Sequence, residues 1–473
     1  MGSGQVTDWQ GKNVTVAGLG VSGVPAAKVL HGLGAHVTVV NDGDDERARA
    51  QAAELRAMGV TVRLGDGDSL PEGTELIVTA PGWKPDKPLF AAAERAGVPV
   101  WGDVELAWRL RGPDAAPWLA VTGTNGKTTT VQMLAAILKA AGLRTAAVGN
   151  IGVSLLDAVL GEERYDVLAV ELSSYQLHWA PSLRAHSAAV LNLAPDHLDW
   201  HGSMEAYAAA KGRVYEGNRV ACVYNVADRA TEDLVREADV EEGCRAVGFT
   251  LGTPGPSQLG VVDGILVDRA FVENRQKNAQ ELAEVSDIDP PAPHNIANAL
   301  AAAALARAFG VEPKAVRDGL RSFTPDAHRI AHVADVDGVA YVDDSKATNT
   351  HAAQASLAAY GSIVWIAGGL AKGATFDELV AGAAKRLRGV VLIGADRALI
   401  ADALARHAPE VPVVDLDRTD TGAMLQAVQE ARRLARPGDT VLLAPACASM
   451  DMFANYNKRG DAFAEAVREL GAR

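Results

Sequence analysis

Three times along this chain an apolar strand runs into a glycine-containing turn and then into a helical stripe. A strand of that kind buries both faces only inside a parallel sheet covered by crossover helices. The first segment opens on NVTVAGLG, continues with a helical stripe at Ala26, Ala27, Leu30 and Leu33, and adds strands HVTVVND, ELIVTAPG and VPVWGD. It fades at Gly112-Pro113-Asp114, which reads as a linker. The second opens on WLAVTGTNGKTTT, whose helix carries Val131, Leu134, Ala135 and Leu138 at i, i+3, i+4, i+7 spacing. DVLAVELSS, AAVLNL and RVACVYN follow as strands, GTPGPSQLG as a loop, and VVDGILV as a hairpin about Asp263-Gly264. An alanine-rich helix is predicted from Asn295 to Phe309. The third segment starts near Thr324-Pro325 and holds VAYVDDS, IVWIAGG, GVVLIGAD, VPVVDL and TVLLAPA, then a last helix with Phe463, Ala466, Val467 and Leu470 on one face. The fold class is therefore α/β in three domains, with boundaries at 1–113, 114–325 and 326–473.

Composition narrows the function. Apolar residues make up 48% and charged residues 22%, an ordinary globular mix with ample core material. A net charge of −14 argues against general nucleic-acid binding and against adhesion to anionic membranes. Anionic ligands remain open, because they need only a local cluster of donors. The three cysteines, Cys222, Cys244 and Cys447, form no CxxC pair, so the sequence offers neither a zinc site nor a disulfide framework. The start, MGSGQVTDWQ, lacks a basic region followed by an apolar core, and no apolar run reaches about 18 residues. The expectation is a cytoplasmic protein without membrane insertion.

The sharpest motif is the strand Leu119-Ala120-Val121 running into Gly123-Thr124-Asn125-Gly126-Lys127-Thr128-Thr129. Backbone N–H groups and a helix start around one concavity bind phosphate oxygens, Lys127 adds charge for the outer phosphates, and Thr128 can bind Mg²⁺. Val121 stands where the usual P-loop has its first glycine, so the pattern is G-x-x-G-K-T. Gly18-Leu19-Gly20-Val21-Ser22-Gly23 matches G-x-G-x-x-G, with Asn41 and Asp42 where a ribose-binding acid belongs. A nicotinamide dinucleotide, another diphosphate, or simple packing each account for that turn. Glu171 ends one strand and His197 follows another in PDHLD; a carboxylate and an imidazole at strand ends suit a metal-assisted phosphate site beside Thr128, although each alone is more often structural. Lys211 lies in a helical pattern, where a lysine is ordinarily solvated. In the third segment DDSKATN, Gly368-Gly369 with Lys372, and PACAS all follow strands and fit a pocket for a small carboxylate-rich molecule; turns and caps are the plain alternative.

TGTNGKTT, ELSSYQL, DHLDWH, HNIANAL and HRI, in that order, resemble the Mur ligase family over essentially the whole chain. DDSKATN with PACASMDMFANYNKRG resembles the branch of that family that adds D-glutamate; a sister Mur ligase or a folylpolyglutamate synthase-like ligase is the alternative. The resemblance implies a Rossmann-like first domain, a P-loop-type central ATPase domain and a Rossmann-like third domain. It implies ATP-driven amide formation through an acyl phosphate, with UDP-N-acetylmuramoyl-L-alanine and D-glutamate as partners, two Mg²⁺ ions, a carbamylated Lys211, and a chain acting as a monomer. By the same resemblance Gly123–Thr129, Asn295, Asn298, His328, Arg329 and Asp344 bind ATP, and Thr128, Glu171, His197 and Lys211 bind metal. Val21, Ser22, Asn41, Asp42, Ala80, Pro81, Gly82, Asn150 and Ser173 fall to the UDP substrate. Thr348, Lys372, Ser449 and Tyr456 fall to D-glutamate, and Lys127, His197, Lys211, Lys346 and Lys372 to catalysis. Tyr456 stands where phenylalanine is common, and HRIAH lacks the glutamate that often follows HR.

Overall fold

A computed structural model describes residues 8–325 and 327–471. The chain divides into two compact units, one running to Ile288 and including Asn295–Phe323, the other holding Asp289–His294 and the chain from Thr324 onward.

The first unit contains two sheets. The smaller has five parallel strands in the order Thr61–Leu64, His36–Asn41, Asn13–Ala17, Leu76–Thr79, Val100–Gly102. Asn13–Ala17 is central, and the order reverses beside it, so the glycine turn after Ala17 opens at the switch point where such sheets bind ligands. The larger has six parallel strands in the order Ala147–Gly149, Leu168–Glu171, Trp118–Thr122, Ser187–Val190, Ala221–Asn225, Arg245–Phe249. Gln258–Val262 extends it in parallel, and Ile265–Asp268 and Gln280–Glu284 close the edge antiparallel. Trp118–Thr122 is flanked on both sides and wholly buried, as its uninterrupted apolar run requires.

The two sheets share core. Trp101, Val104 and Leu106 of the first segment cluster with Trp118, Leu168 and Leu177 of the second. Phe90 meets Trp179 at 4.9 Å, and Gly102 N–H donates to the Trp179 carbonyl. Between helix Asp103–Leu110 and strand Trp118–Thr122 the chain has neither helix nor strand, where the sequence reads as a linker.

The second unit has one sheet of six strands, in the order Ala331–Val336, Val339–Asp343, Thr440–Leu443, Ile363–Gly368, Leu387–Ile393, Val413–Asp415. Only Ala331–Val336 runs antiparallel, as the edge arm of a hairpin. Helices cover both faces through two separate apolar clusters, one around Trp365 and Leu442, the other around Tyr341 and Phe463. The architecture is α/β with three sheets built mainly of parallel strands.

Several expectations need correction. Leu33 is 40% exposed at the end of helix Gly23–Gly32, because the chain leaves the helix there and only Ala26, Ala27 and Leu30 reach the core. GTPGPSQLG is a loop only to Ser257; Gln258 already pairs with Gly248 of the parallel neighbour and starts the hairpin strand. The hairpin turns at Asp263 and Gly264, both with positive φ, as a two-residue turn demands. The alanine-rich helix spans Pro293–Ala308, and its run of buried residues from Asn298 to Ala306 shows why it lacks a polar face.

Helix Pro313–Ser322 lies against the helix Lys127–Ala140 that follows the phosphate loop, and Gly319 is the contact: a Cβ there would stand 2.4 Å from Ile137 Cα. Only glycine permits that approach. Gly319→Ala should therefore lower the urea-denaturation midpoint, at a cost of about 1–3 kcal/mol, because backbone rather than a flexible side chain must move. A midpoint equal to that of the parent protein would contradict this packing.

Candidate active site

Strand Trp118–Thr122 delivers the chain into the loop Gly123–Gly126, and helix Lys127–Ala140 carries it away. Gly126 needs its φ of 84°, and a Cβ there would lie 2.4 Å from Asn298 Oδ1, so the loop and Asn298 are in direct contact. Asn295, one turn earlier on the same helix, is likewise buried. The loop is clamped from the next strand's exit. Asn125 N–H donates to Asn192 Oδ1 at 2.9 Å, and Asn192 Nδ2 donates to the Asn125 carbonyl at 3.1 Å. Thr124 Oγ1 accepts from Ala194 N–H at 3.0 Å and lies 3.0 Å from the Tyr207 hydroxyl.

Two lysines converge on one carbonyl. Lys127 Nζ donates to the Gly123 oxygen at 2.9 Å and to the Thr124 oxygen at 2.9 Å. Lys211 Nζ donates to the same Gly123 oxygen at 2.9 Å, with the Thr122 hydroxyl at 3.5 Å. Lys211 comes from helix Met204–Gly212 and is 2% exposed, so the solvated role usual for a helical lysine does not apply. Burial pushes its pKa well below the ordinary lysine value, and Lys127 acts in the same direction.

Glu171 ends strand Leu168–Glu171 and is buried. Asn150 Nδ2 donates to its Oε1 at 2.9 Å, while its Oε2 is buried with no hydrogen-bond partner. An unpartnered buried carboxylate oxygen suits a cation. His197 precedes the short helix Leu198–His201 with φ 54° and packs on Tyr175, ring centroids 4.8 Å apart. Desolvation of the packed ring pushes its pKa down, opposed by Asp196 and reinforced by Lys211 and Lys127, which favours the neutral ring that a metal ligand needs. Among the described residues no three His, Cys, Asp or Glu side chains gather as a metal cage. The donors present, one carboxylate, one imidazole and the Thr128 hydroxyl, fit Mg²⁺, which keeps waters and shares substrate phosphates.

In the five-stranded sheet the glycine turn is equally constrained. A Cβ on Gly23 would stand 1.9 Å from the Gly18 carbonyl oxygen, whereas Gly20 has open space before it and Val21 is 84% exposed. Asn41 Oδ1 accepts from Leu19 N–H at 3.0 Å and its Nδ2 donates to the Gly43 carbonyl at 2.9 Å, a donation an acid could not make, so the amide holds the turn. Asp42 pairs with Lys87 at 2.9 Å, and Lys87 also reaches Asp68 at 3.0 Å. Ala80-Pro81-Gly82 follows the neighbouring strand, and the Gly82 carbonyl accepts from Trp200 Nε1. Ser22 Oγ donates to Asp103 Oδ2 at 3.0 Å, and Gln176 Nε2 approaches the same oxygen at 3.4 Å. Gln176 completes the capping box of Ser173. Ser22 and Ser173 are thus joined through Asp103 and Gln176.

The second unit gathers its own set at the carboxyl ends of its strands. Reciprocal bonds between Leu370 and Ala448 join the loops bearing Lys372 and Ser449, and Ala446 N–H donates to the Ala347 carbonyl, bringing in Lys346 and Thr348. Lys346 Nζ lies 4.0 Å over the Tyr456 ring. His328 Nδ1 is 2.6 Å from Asp343 Oδ2, and that bond raises the His328 pKa. Asp344 turns inward: its carboxylate accepts from Ser356 Oγ and from Ile330 N–H, and burial pushes it up to about 6.

Sequence reasoning missed Asn192, Tyr207, Asp103, Gln176, Lys87 and Arg459. Asn192 sits inside the strand-end run already noticed, Gln176 inside ELSSYQL and Arg459 inside the stretch ending NKRG; Tyr207, Asp103 and Lys87 carry no local signal. Arg459 is 1% exposed and donates to the Ser345 carbonyl, the Ser345 hydroxyl and the Cys447 carbonyl.

Residues 121–306 match the Mur ligase middle domain, and residues 328–447 match the Mur ligase, glutamate ligase domain. Over 469 residues the chain is 89% identical to the UDP-N-acetylmuramoylalanine–D-glutamate ligase of Streptomyces coelicolor, covering 98% of this chain and all of that one. This chain belongs to the Mur ligase family. The corresponding ligase of Thermobifida fusca is 61% identical over 98% of this chain and 99% of its own. Among solved structures, the ligase MurC of Thermotoga maritima superposes with a TM-score of 0.54 at 19% identity, covering 97% of this chain and 99% of that one. MurF of the same organism, solved with ADP, gives 0.55 at 15%, covering 97% and 96%. As a Mur ligase the protein is an ATP-dependent, Mg²⁺-using enzyme that forms an amide bond in peptidoglycan synthesis. Among the described residues no helix is long and apolar enough to cross a membrane.

Because Asn192 bonds both the N–H and the carbonyl of Asn125, Asn192→Ala should loosen the phosphate loop. Two lost bonds at about 1 kcal/mol each predict a rise in KM for ATP of roughly tenfold or more, with the fold intact by circular dichroism. An unchanged KM would show that the clamp is dispensable.

Proposed function

We propose that this Mur ligase joins D-glutamate to UDP-N-acetylmuramoyl-L-alanine, acting in the cytoplasm as a monomer. The substrate choice is supported by 89% identity along nearly the whole chain to a relative named for that reaction. The chemistry is supported above all by the meeting of Lys127 and Lys211 on the Gly123 carbonyl, beside Glu171 with its unpartnered oxygen.

The reaction needs an activated carboxylate, since a carboxylate is a poor acyl donor at neutral pH. The alanyl carboxylate attacks the γ-phosphorus of ATP, ADP leaves, and an acyl phosphate forms. The amine of D-glutamate attacks the acyl carbon, a tetrahedral intermediate collapses, phosphate leaves and the amide remains. The protein contributes alignment and charge. Gly123–Thr129 cradle the phosphates, and Lys127 offsets charge on the outer ones. Asn295 and Asn298 bound the nucleotide on the far side of Gly126. Thr128, Glu171, His197 and Lys211 would hold two Mg²⁺ ions, whose chemistry when bound is to neutralise phosphate oxygens. Val21, Ser22, Asn41, Asp42 and Ala80–Gly82 receive the UDP, and Asn150 and Ser173 the muramoyl end. In the second unit Lys346, Thr348, Lys372, Ser449 and Tyr456 bind D-glutamate, while Asp344, through Ile330, shapes the His328-Arg329 turn.

Lys211 carries CO₂ as a carbamate in this reading. A protonated amine there would be repelled by Lys127 and by metal; a neutral one adds CO₂, releases a proton and becomes an anionic oxygen ligand. Lys211→Ala should lose most turnover, and formate should restore part of it. Lys211→Arg keeps a positive charge but forms no such carbamate, so formate should not help it; full activity in Lys211→Arg would end the reading.

The substrate assignment is tested by product formation from UDP-N-acetylmuramoyl-L-alanine, ATP and a series of amino acids. Two lysines and three hydroxyls around the amino-acid site should reject D-alanine by a factor of about 10⁴ relative to D-glutamate, because donors meant for the side-chain carboxylate would stay unpaired. Comparable rates with both would refute it.

A further inference from the structure

Two of the three cysteines, far apart in sequence and without any CxxC spacing, meet in the central sheet. Cys222 lies on strand Ala221–Asn225, and Cys244 immediately precedes the parallel neighbour Arg245–Phe249. Ala221 pairs with Arg245 and Cys222 with Ala246, so both thiols project from the same face near the start of their strands. Their sulfurs are 3.9 Å apart. Cys222 is 2% exposed, with the side-chain amide of Asn218 3.5 Å from its sulfur. Cys244 is only half-buried. It follows a turn in which its own N–H bonds the Glu241 carbonyl and Gly243 takes a φ of 89°. Cys447 belongs to the other unit and is buried, its thiol pushed up to about 12 by burial.

We propose that Cys222 and Cys244 are an oxidative modification site, a dithiol that closes to a disulfide when the protein meets a hydroperoxide. A disulfide holds its sulfurs about 2.05 Å apart, so the pair must close by roughly 2 Å. Cys244 can supply that movement, because it lies outside the strand ladder on the end of a glycine-containing turn. The two thiols also divide the labour. The hydrogen bond from Cys222 lowers the Cys244 pKa, so the more exposed sulfur is the better nucleophile, and the same pairing with burial raises Cys222. The Cys244 thiolate attacks the O–O bond of the peroxide; an alcohol, or water from hydrogen peroxide, leaves with the proton, and Cys244 becomes a sulfenic acid. The Cys222 sulfur then attacks the Cys244 sulfur, the S–O bond breaks, and water leaves with the Cys222 proton. In sum, two thiols and one peroxide give one disulfide, one alcohol or water, and one further water.

The pair sits at the amino ends of these strands, opposite the carboxyl ends that carry the phosphate loop and Asn225, whose Nδ2 bonds the Leu191 carbonyl. Closure therefore leaves the ligase site intact and spends the oxidant away from it.

The test uses the full-length protein, treated folded with a few equivalents of hydrogen peroxide, then unfolded, alkylated and weighed. The expected product has lost two hydrogen atoms, keeps one alkylatable thiol, contains a Cys222–Cys244 cross-linked peptide, retains ligase turnover within about twofold, and regains all three thiols with dithiothreitol. Cys222→Ser should instead accumulate a Cys244 sulfenic acid trapped by dimedone, and Cys244→Ser should leave Cys222 unreacted, so the assignment survives if either variant fails to fold. Oxygen added to wild-type Cys244 without loss of two hydrogens, a cross-link through Cys447, three free thiols after treatment, or loss of turnover on closure would overturn the proposal.

Discussion

One carbonyl oxygen, that of Gly123, receives the amines of both Lys127 and Lys211, and the electrostatics of the first unit follow from it. Two ammonium groups cannot share so dry a place cheaply, because desolvation and mutual repulsion add. Lys127 stays at the mouth of the loop, partly exposed, and Lys211, almost fully buried, is the one driven toward neutrality. The same two lysines help hold His197 neutral. Glu171, with one oxygen bonded to Asn150 and the other unpartnered, supplies negative charge at the same edge of the sheet. The site is thus set up to take phosphates and a divalent cation together rather than either alone.

That arrangement holds only if the loop is rigid, and its rigidity comes from neighbouring strand exits rather than from the loop itself. Asn192 brackets Asn125, and Ala194 with Tyr207 fixes Thr124. Leu193 N–H is in turn held by Asp228, and the Leu191 carbonyl by Asn225, so the end of strand Ala221–Asn225 and the turn after it brace the clamp. Tyr207 lies one turn before Lys211 on the same helix, and Lys211 Nζ stands 4.7 Å over its ring. Clamp and buried amine are therefore positioned by one element.

In the second unit the corresponding support is a buried guanidinium. Arg459 loses its hydration, which pushes its pKa down to about 10, and recovers bonds to Ser345 twice and to Cys447 once. It ties helix Tyr456–Gly471 to two strand-end loops at once. The first residue of that helix, Tyr456, then meets Lys346 at 4.0 Å.

Periodicity and punctuation in the sequence by themselves determined the three βα runs, the strands that are buried on both faces, the hairpin at Asp263-Gly264, and the phosphate loop. These are local properties: an apolar run, a glycine turn and a helical stripe lie within a dozen residues of one another. The family resemblance likewise rested on contiguous motifs. The edge strand Gln280–Glu284 escaped because its largely exposed positions carry mixed residues with weak alternation, and Arg245–Phe249, internal to the sheet, escaped because only its last three residues are buried and one of them is glycine. What only the tertiary structure decided is which groups meet. Lys211 looks like a solvated helical lysine until its amine is seen on a carbonyl 88 residues earlier in the chain. Asp103 is an unremarkable letter until it joins Ser22 to Gln176 and, through the capping box, to Ser173. Burial and partnership over such separations leave no periodic trace in sequence, since they depend on sheet order and on the packing of distant elements.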